Sequence, residues 1–214
     1  MNRSKALGAL GVLAVSVGVA LAQAPANMSF FVTSSNPGRG GDLGGLEGAD
    51  AHCQSLAAAV GAGNKTWRAY LSTDSEDARD RIGSGPWYNA KGQLIAQNVA
   101  DLHSDNNKIT AETALNEKGE APNYLGGDPP APLAQPLQHD ILTGTNEDGT
   151  SSGLHCNNWT DGSNDSRATL GHADRLGRNP GVNSWNAIHP SQGCSMESLA
   201  ATGGAGMFYC FAID

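Results

Sequence analysis

Four cysteines, Cys53, Cys156, Cys194 and Cys210, follow an N-terminal segment that reads as an export signal, and this pairing limits the fold more than any other feature of the chain. Arg3 and Lys5 precede an apolar, uncharged stretch over residues 6–21, and Ala20-Leu21-Ala22 supplies a small-x-small cleavage pattern. The stretch is shorter than the ~20 residues a spanning helix needs. The expectation is a signal peptide over 1–22, a linker over 23–29 and one domain over 30–214, with no membrane span after leader cleavage. The protein would then be secreted, periplasmic or held at the cell surface. An even cysteine count in an exported chain is read as disulfides. Four cysteines allow three pairings, and the residues alone do not choose among them. No Cys-x-x-Cys pair is present to suggest a zinc thiolate site.

Charge removes several classes of partner. Loss of Arg3 and Lys5 with the leader takes the formal charge from −8 to −10, because the leader contains no acid. Such an acidic surface disfavours nucleic acid, heparin-like polyanions and anionic membranes, which select basic patches. The chain has 28 Gly and 10 Pro, under a fifth of its 214 residues, so disorder is not the default. With 39% hydrophobic residues it can bury a core, and a loop-rich globular protein is expected.

Element signals follow in order. Phe30-Phe31-Val32-Thr33 reads as a first strand ended by Ser35-Asn36-Pro37-Gly38. Leu46, Ala49, Cys53, Leu56, Ala57 and Val60 recur at helical steps, and Gly61 stops the helix, which places Cys53 on a buried face. Trp67-Arg68-Ala69-Tyr70-Leu71-Ser72 is a second strand, and residues 75–82 are a polar segment with some helical character. Hairpins are expected around Asn89-Ala90-Lys91-Gly92, Asn116-Glu117-Lys118-Gly119 and Asn146-Glu147-Asp148-Gly149, the last joining Ile141-Leu142-Thr143 to a strand over residues 154–160. Prolines 122, 129, 130, 132 and 136 mark residues 122–137 as an exposed loop. Residues 161–193 form a long polar loop. The closing run Met207-Phe208-Tyr209-Cys210-Phe211-Ala212 is apolar at even and odd positions alike, as in a central strand covered on both faces. Short strands, one clear helix and long loops make the class α+β with a mainly antiparallel sheet.

Four pieces then carry a family likeness: Gly45-x-x-Gly48-Ala49-Asp50-x-x-Cys53, then Trp67-Arg68-Ala69-Tyr70-Leu71-Ser72, then the turn before Cys156-Asn157-Asn158-Trp159, then Cys194 and Cys210. In this order, across residues 30–212, they resemble the endostatin family and its bacterial endostatin-like outer-surface relatives, whose domain is a variant of the C-type-lectin-like fold. The resemblance implies nested disulfides, Cys53 with Cys210 and Cys156 with Cys194. Bridges closing loops of those lengths are worth at most about 5 and 4 kcal/mol, and are not additive when nested. The relatives' functional groups do not transfer. Endostatin binds zinc through histidines near its N-terminus, and residues 23–51 here contain none. Glu120-Ala121-Pro122-Asn123 and Trp185-Asn186-Ala187 depart from the calcium-lectin triplets.

Remaining motifs are weighed on chemistry. Gly149-Thr150-Ser151-Ser152-Gly153 has the nucleophile-elbow pattern but lies in a polar hairpin turn instead of a strand-to-helix corner. His172 and Asp174 offer two ligands at close spacing, and no second pair matches them, so no metal set and no catalytic set is assigned. Calcium is a candidate ion for Asp148, Asp161 and Asp165 in their amide-rich turns, although neither stretch has EF-hand spacing. Trp185, with Asn186 and near His189, is the candidate for stacking on a sugar ring; Trp67, Trp87 and Trp159 are expected in the core. The expected function is a non-enzymatic recognition domain binding an extracellular protein or glycan through residues 144–193. A hydrolase on the same superfold is the first rival, favoured if His139, His155, His172 or His189 meet carboxylates in one cleft. A structural envelope or matrix component is the second.

Overall fold

The computed structural model describes residues 23–124, 136–176 and 183–214. The expected leader, most of the proline-rich segment and residues 177–182 of the long loop lie outside them.

The described chain is α+β, with a mostly antiparallel six-stranded sheet, few helices and two disulfides. Its organising element is β8 (Gly204–Ala212). Strand β1 (Phe30–Val32) pairs antiparallel with it, Phe31 opposite Cys210. Strand β2 (Trp67–Ala69) also pairs antiparallel, Ala69 opposite Cys210. A strand has two edges, so β1 and β2 flank the same stretch of β8. Strand β5 (Asp140–Leu142) runs parallel to the earlier part of β8, and β6 (Thr169–His172) and β7 (His189–Pro190) extend the sheet beyond it.

The two-sided apolar pattern of β8 is explained by two cores. Phe208, Cys210 and Ala212 face one cluster with Ala49, Cys53, Ala57, Trp67 and Trp159, while Met207, Tyr209 and Phe211 face another with Phe30, Tyr70, Trp87, Ile95 and Trp185. Helix α1 (Gly45–Ala59) covers the first face and ends at Val60, where Gly61 takes a positive φ. The second face is covered in part by the hairpin of β3 (Trp87–Tyr88) and β4 (Leu94–Ala96), joined across Asn89 and Gly92 as expected. Trp67, Trp87 and Trp159 are all buried.

The glycine-alanine-aspartate-cysteine run is structural at each step. A Cβ on Gly48 would sit 2.1 Å from the Leu43 carbonyl oxygen, so only glycine lets the preceding loop lie against the helix. Asp50 accepts from the Ala69 backbone N–H at 2.8 Å and from Arg81, at the end of the short helix α2 (Ala78–Arg81), at 2.7 and 2.8 Å. That arrangement partners the buried guanidinium and fixes α1 to β2 and α2. Cys53 bonds Cys210, and Cys156 bonds Cys194, the nested pairing expected. Two bridges fit an oxidising extracellular or periplasmic setting. No helix among the described residues is long and apolar enough to cross a membrane.

Several expectations are corrected. Residues 23–29 do not behave as a linker: Met28 is fully buried and its carbonyl accepts from Lys65. The Asn116 to Gly119 turn forms, but its flanks make an isolated parallel bridge from Asn116 to Val32 and not a hairpin. The Asn146 to Gly149 turn closes only the bridge between Thr145 and Ser151. Residues 154–160 form no strand. They contain a left-handed turn, α4 (Cys156–Trp159), with φ of 49, 51, 56 and 64° at four successive non-glycine residues. Asn tolerates this region, whereas Cys156 and Trp159 each cost roughly 1–2 kcal/mol there. The bridge to Cys194, the bond from Trp159 Nε1 to the Ser72 carbonyl at 2.7 Å and the cap from Asn158 N–H to His155 Nδ1 at 2.9 Å hold it in place. The 161–193 segment is not all loop, since it carries β6 and β7.

Candidate functional site

The loop face carries a cleft of about 520 Å³, lined by His103, Ser104, Asp105 and Asn107 on one side, Glu147 at a turn, and Arg175 with residues 183–186 on the other. The His103 side follows helix α3 (Val99–Leu102), whose Asn98 side chain caps it by accepting from Asp101 N–H. His103 donates from Nδ1 to the Val99 carbonyl at 2.8 Å, so its Nε2 accepts from the Tyr70 hydroxyl at 2.7 Å. Burial pushes the Tyr70 hydroxyl far above its usual range and pulls His103 below the usual imidazole range, although the Val99 bond works against the second shift. His103 thus lines the cleft as a neutral ring held from behind by the buried Tyr70 hydroxyl.

Trp185 lines this cleft, but not as an exposed platform. It is 3% exposed and packs against Tyr70 at a 4.8 Å centroid distance and Tyr209 at 5.2 Å. The absence of a side chain at Gly171 lets it reach that position, because a Cβ there would fall 1.8 Å from the Trp185 carbonyl oxygen. The expected sugar-stacking role of Trp185 is corrected on this ground. Asn186 is 1% exposed, and its amide nitrogen shares two hydrogens among Tyr70 Oη, Thr145 Oγ1 and the carbonyls of Asn146 and Glu147 at 3.0–3.3 Å. It is a hub that ties the turn to the sheet, with no hydrogen left for a ligand.

The acidic candidates are dispersed. Asp148 accepts from the N–H and hydroxyl of Thr150 in its own turn, and those bonds hold its carboxyl below the usual range. Asp161 is held low in the same way by Ser166 and Ser163, close to the Cys156–Cys194 bridge. Asp165 is exposed beside that turn, its N–H bonded to Ser163 Oγ. These three do not converge as a calcium site would require. Ser151 lies at the end of its turn with its N–H on Asp77, so the nucleophile-elbow geometry is not formed.

His189 belongs elsewhere, in an arrangement the sequence reading did not assemble. Asp140 pairs with His172 across β5 and β6, and His189 pairs with Leu170 across β6 and β7. With a period of two along each strand, Asp140, His172 and His189 share one face. A register shift between Asp140 and Ile141 breaks the alternation at the start of β5, and His139 stacks on His172 with centroids 4.3 Å apart. Asp140 Oδ1 lies 3.3 Å from His139 Nε2, 3.0 Å from His172 Nε2 and 3.7 Å from His189 Nε2. His139, Asp140 and His172 are buried and offer donor atoms all within 4.8 Å of one another; among the described residues they are the group placed to hold an ion. The ligand pair suggested by spacing, His172 with Asp174, does not form: Asp174 instead approaches His139 Nδ1 at 3.4 Å. His155 stays apart, bonded to Asp74 at 3.0 Å. The overlooked signal was His139-Asp140 opening an apolar strand, with partners contributed by two strands far along the chain.

No protein-family model matches the chain, and no curated protein is similar to it.

Proposed function

We propose that the protein is an exported, non-enzymatic recognition domain of endostatin-like, C-type-lectin-like type, which takes an extracellular glycan, or a protein bearing one, in the cleft between residues 103–105 and 107, Glu147, Arg175 and residues 183–186. The polarity of that cleft is the observation that carries the reading. Its volume suits a small-ligand subsite, and its rim combines an arginine, exposed acids and amides over the edge of a buried indole. Such a lining favours a hydroxyl-rich ligand, which exchanges hydrogen bonds with water at little net cost, over an apolar one. Deep burial of Trp185 leaves it a structural support of the cleft wall, so the polar rim supplies the contacts.

The test is an array of glycans and matrix proteins probed with the mature chain in calcium and in chelator, repeated with Asp105→Ala and Glu147→Ala. Retained binding by a defined glycan class, weakened about tenfold by either substitution, supports the reading; an array blank in both buffers removes it. One observation favours the hydrolase rival: three histidines converge on a carboxylate. They line no part of this cleft, so ester and glycoside turnover abolished by His172→Ala is the result that would promote it.

A further inference from the structure

We propose that His139, Asp140, His172 and His189 form a binding site for one zinc-like divalent transition-metal ion. Proton placement is the first ground. His139 Nδ1 faces Asp174 Oδ1, His172 Nδ1 faces the Leu176 carbonyl, and His189 Nδ1 faces the Pro190 carbonyl at 3.1 Å. These oxygens only accept, so in each neutral ring the proton sits on Nδ1 and Nε2 carries a lone pair. All three Nε2 atoms are the ones directed at Asp140.

Lone pairs directed at a carboxylate make no hydrogen bond, and neither oxygen of Asp140 accepts one of good geometry although its side chain is only 1% exposed; the three rings and the Thr202 side chain are the polar groups beside it. An uncompensated buried carboxylate is among the most costly groups a fold can carry. Protonating one ring would give Asp140 a single donor and leave two Nε2 lone pairs still directed at the same carboxylate, with the Nε2 atoms of His172 and His189 only 3.2 Å apart. One cation between the four atoms removes every one of these conflicts.

Spacing is the second ground. A tetrahedral ion with bonds of ~2.0–2.1 Å separates its ligand atoms by about 3.3 Å. The donor atoms of His139, Asp140 and His172 lie within 4.8 Å of one another, Asp140 Oδ1 being 3.3 and 3.0 Å from the two rings, and His189 adjoins them at 3.7 Å from Asp140 Oδ1 and 3.2 Å from His172. Three imidazoles and one carboxylate suit zinc, cobalt, nickel or copper, whereas calcium takes oxygen ligands. Each ring is also oriented through its outer nitrogen by an oxygen, the arrangement that fixes the tautomer of metal-bound histidine. Four protein donors make a closed site, which belongs to a structural ion. The ion would cross-link β5, β6 and β7, and would do so independently of what the loop cleft binds.

The test strips the mature chain with chelator and titrates it with zinc, cobalt or calcium chloride, following heat of binding and visible absorption. Expected are one zinc per chain, no competition by calcium, an intense four-coordinate cobalt spectrum, and three hyperfine-shifted exchangeable imidazole N–H signals in the cobalt form. His189→Ala, at a side chain one-third exposed and so tolerant of change, should weaken zinc at least tenfold. Asp174→Asn should weaken it about 10–100-fold as the positioning partner of His139. His155→Gln should leave it unchanged. Absence of stoichiometric zinc binding, a six-coordinate cobalt spectrum without imidazole signals, or full affinity in both His189→Ala and Asp174→Asn would each overturn the proposal.

Discussion

The two ends of the sheet are built on opposite principles. Where β1 and β2 flank β8, Phe31 lies against Trp67, Trp87 meets Phe211 edge-on, and the Cys53–Cys210 bridge joins α1 to the strand. Asp50 and Arg81 are fully partnered there. Where β5, β6 and β7 end, three histidines gather around an aspartate whose carboxylate oxygens accept no hydrogen bond of good geometry. The first end is a satisfied apolar core with a covalent staple. At the second, a buried carboxylate is ringed by imidazoles instead of being paired with a guanidinium. Stability can be concentrated in one part of a domain while another holds strained chemistry.

The largest expected effect comes from breaking the stapled end. Replacing Cys53 and Cys210 together with serine should cost up to about 5 kcal/mol, read from the shift in urea midpoint, because the bridge closes the longer of the two loops. A loss below ~1 kcal/mol would show that apolar packing alone holds this end. The histidine end should answer with a change of sign. In chelator, Asp140→Asn replaces this carboxylate with an amide that can donate to a neighbouring Nε2, and should stabilise the protein by roughly 1–3 kcal/mol; in zinc it should destabilise it. Destabilisation in both conditions would mean that the carboxylate has a compensating partner without metal.

The smallest effect concerns His103, between the two ends. Burial holds it below the unfolded value of about 6.5, so the unfolded chain binds more protons as the pH falls through that value. The contribution of neutral His103 is complete above it and is lost toward the lowered folded value. Wild type should therefore lose more stability than His103→Gln between pH 7 and 5, in paired denaturant titrations. Parallel curves would mean that the Val99 bond and the Asp148 charge, which raise His103, offset its burial and Arg79.

The stapled end was largely legible in the residues. Helical spacing through Cys53, the stop at Gly61 and the two-sided apolar run ending in Ala212 are local signals, and local periodicity reports which faces are buried. The α4 turn was only half legible: Asn157 and Asn158 tolerate a left-handed backbone, but Cys156 and Trp159 take it because the disulfide and the Trp159 packing hold them there. Strands β6 and β7 were hidden for a related reason: Thr169-Leu170-Gly171-His172 and His189-Pro190 are short and polar, and pair because β5 offers them an edge.

By itself, then, the sequence determined the class of fold, the buried faces of α1 and β8, and the acidic, cysteine-bearing character of the molecule, since composition and short-range period are properties of the chain alone. Tertiary structure decided that Trp185 is a buried ring and not an exposed platform, and that His139, His172 and His189 meet at Asp140. Those relations depend on strand register between segments distant in the chain, and register is set by the packing of the whole sheet.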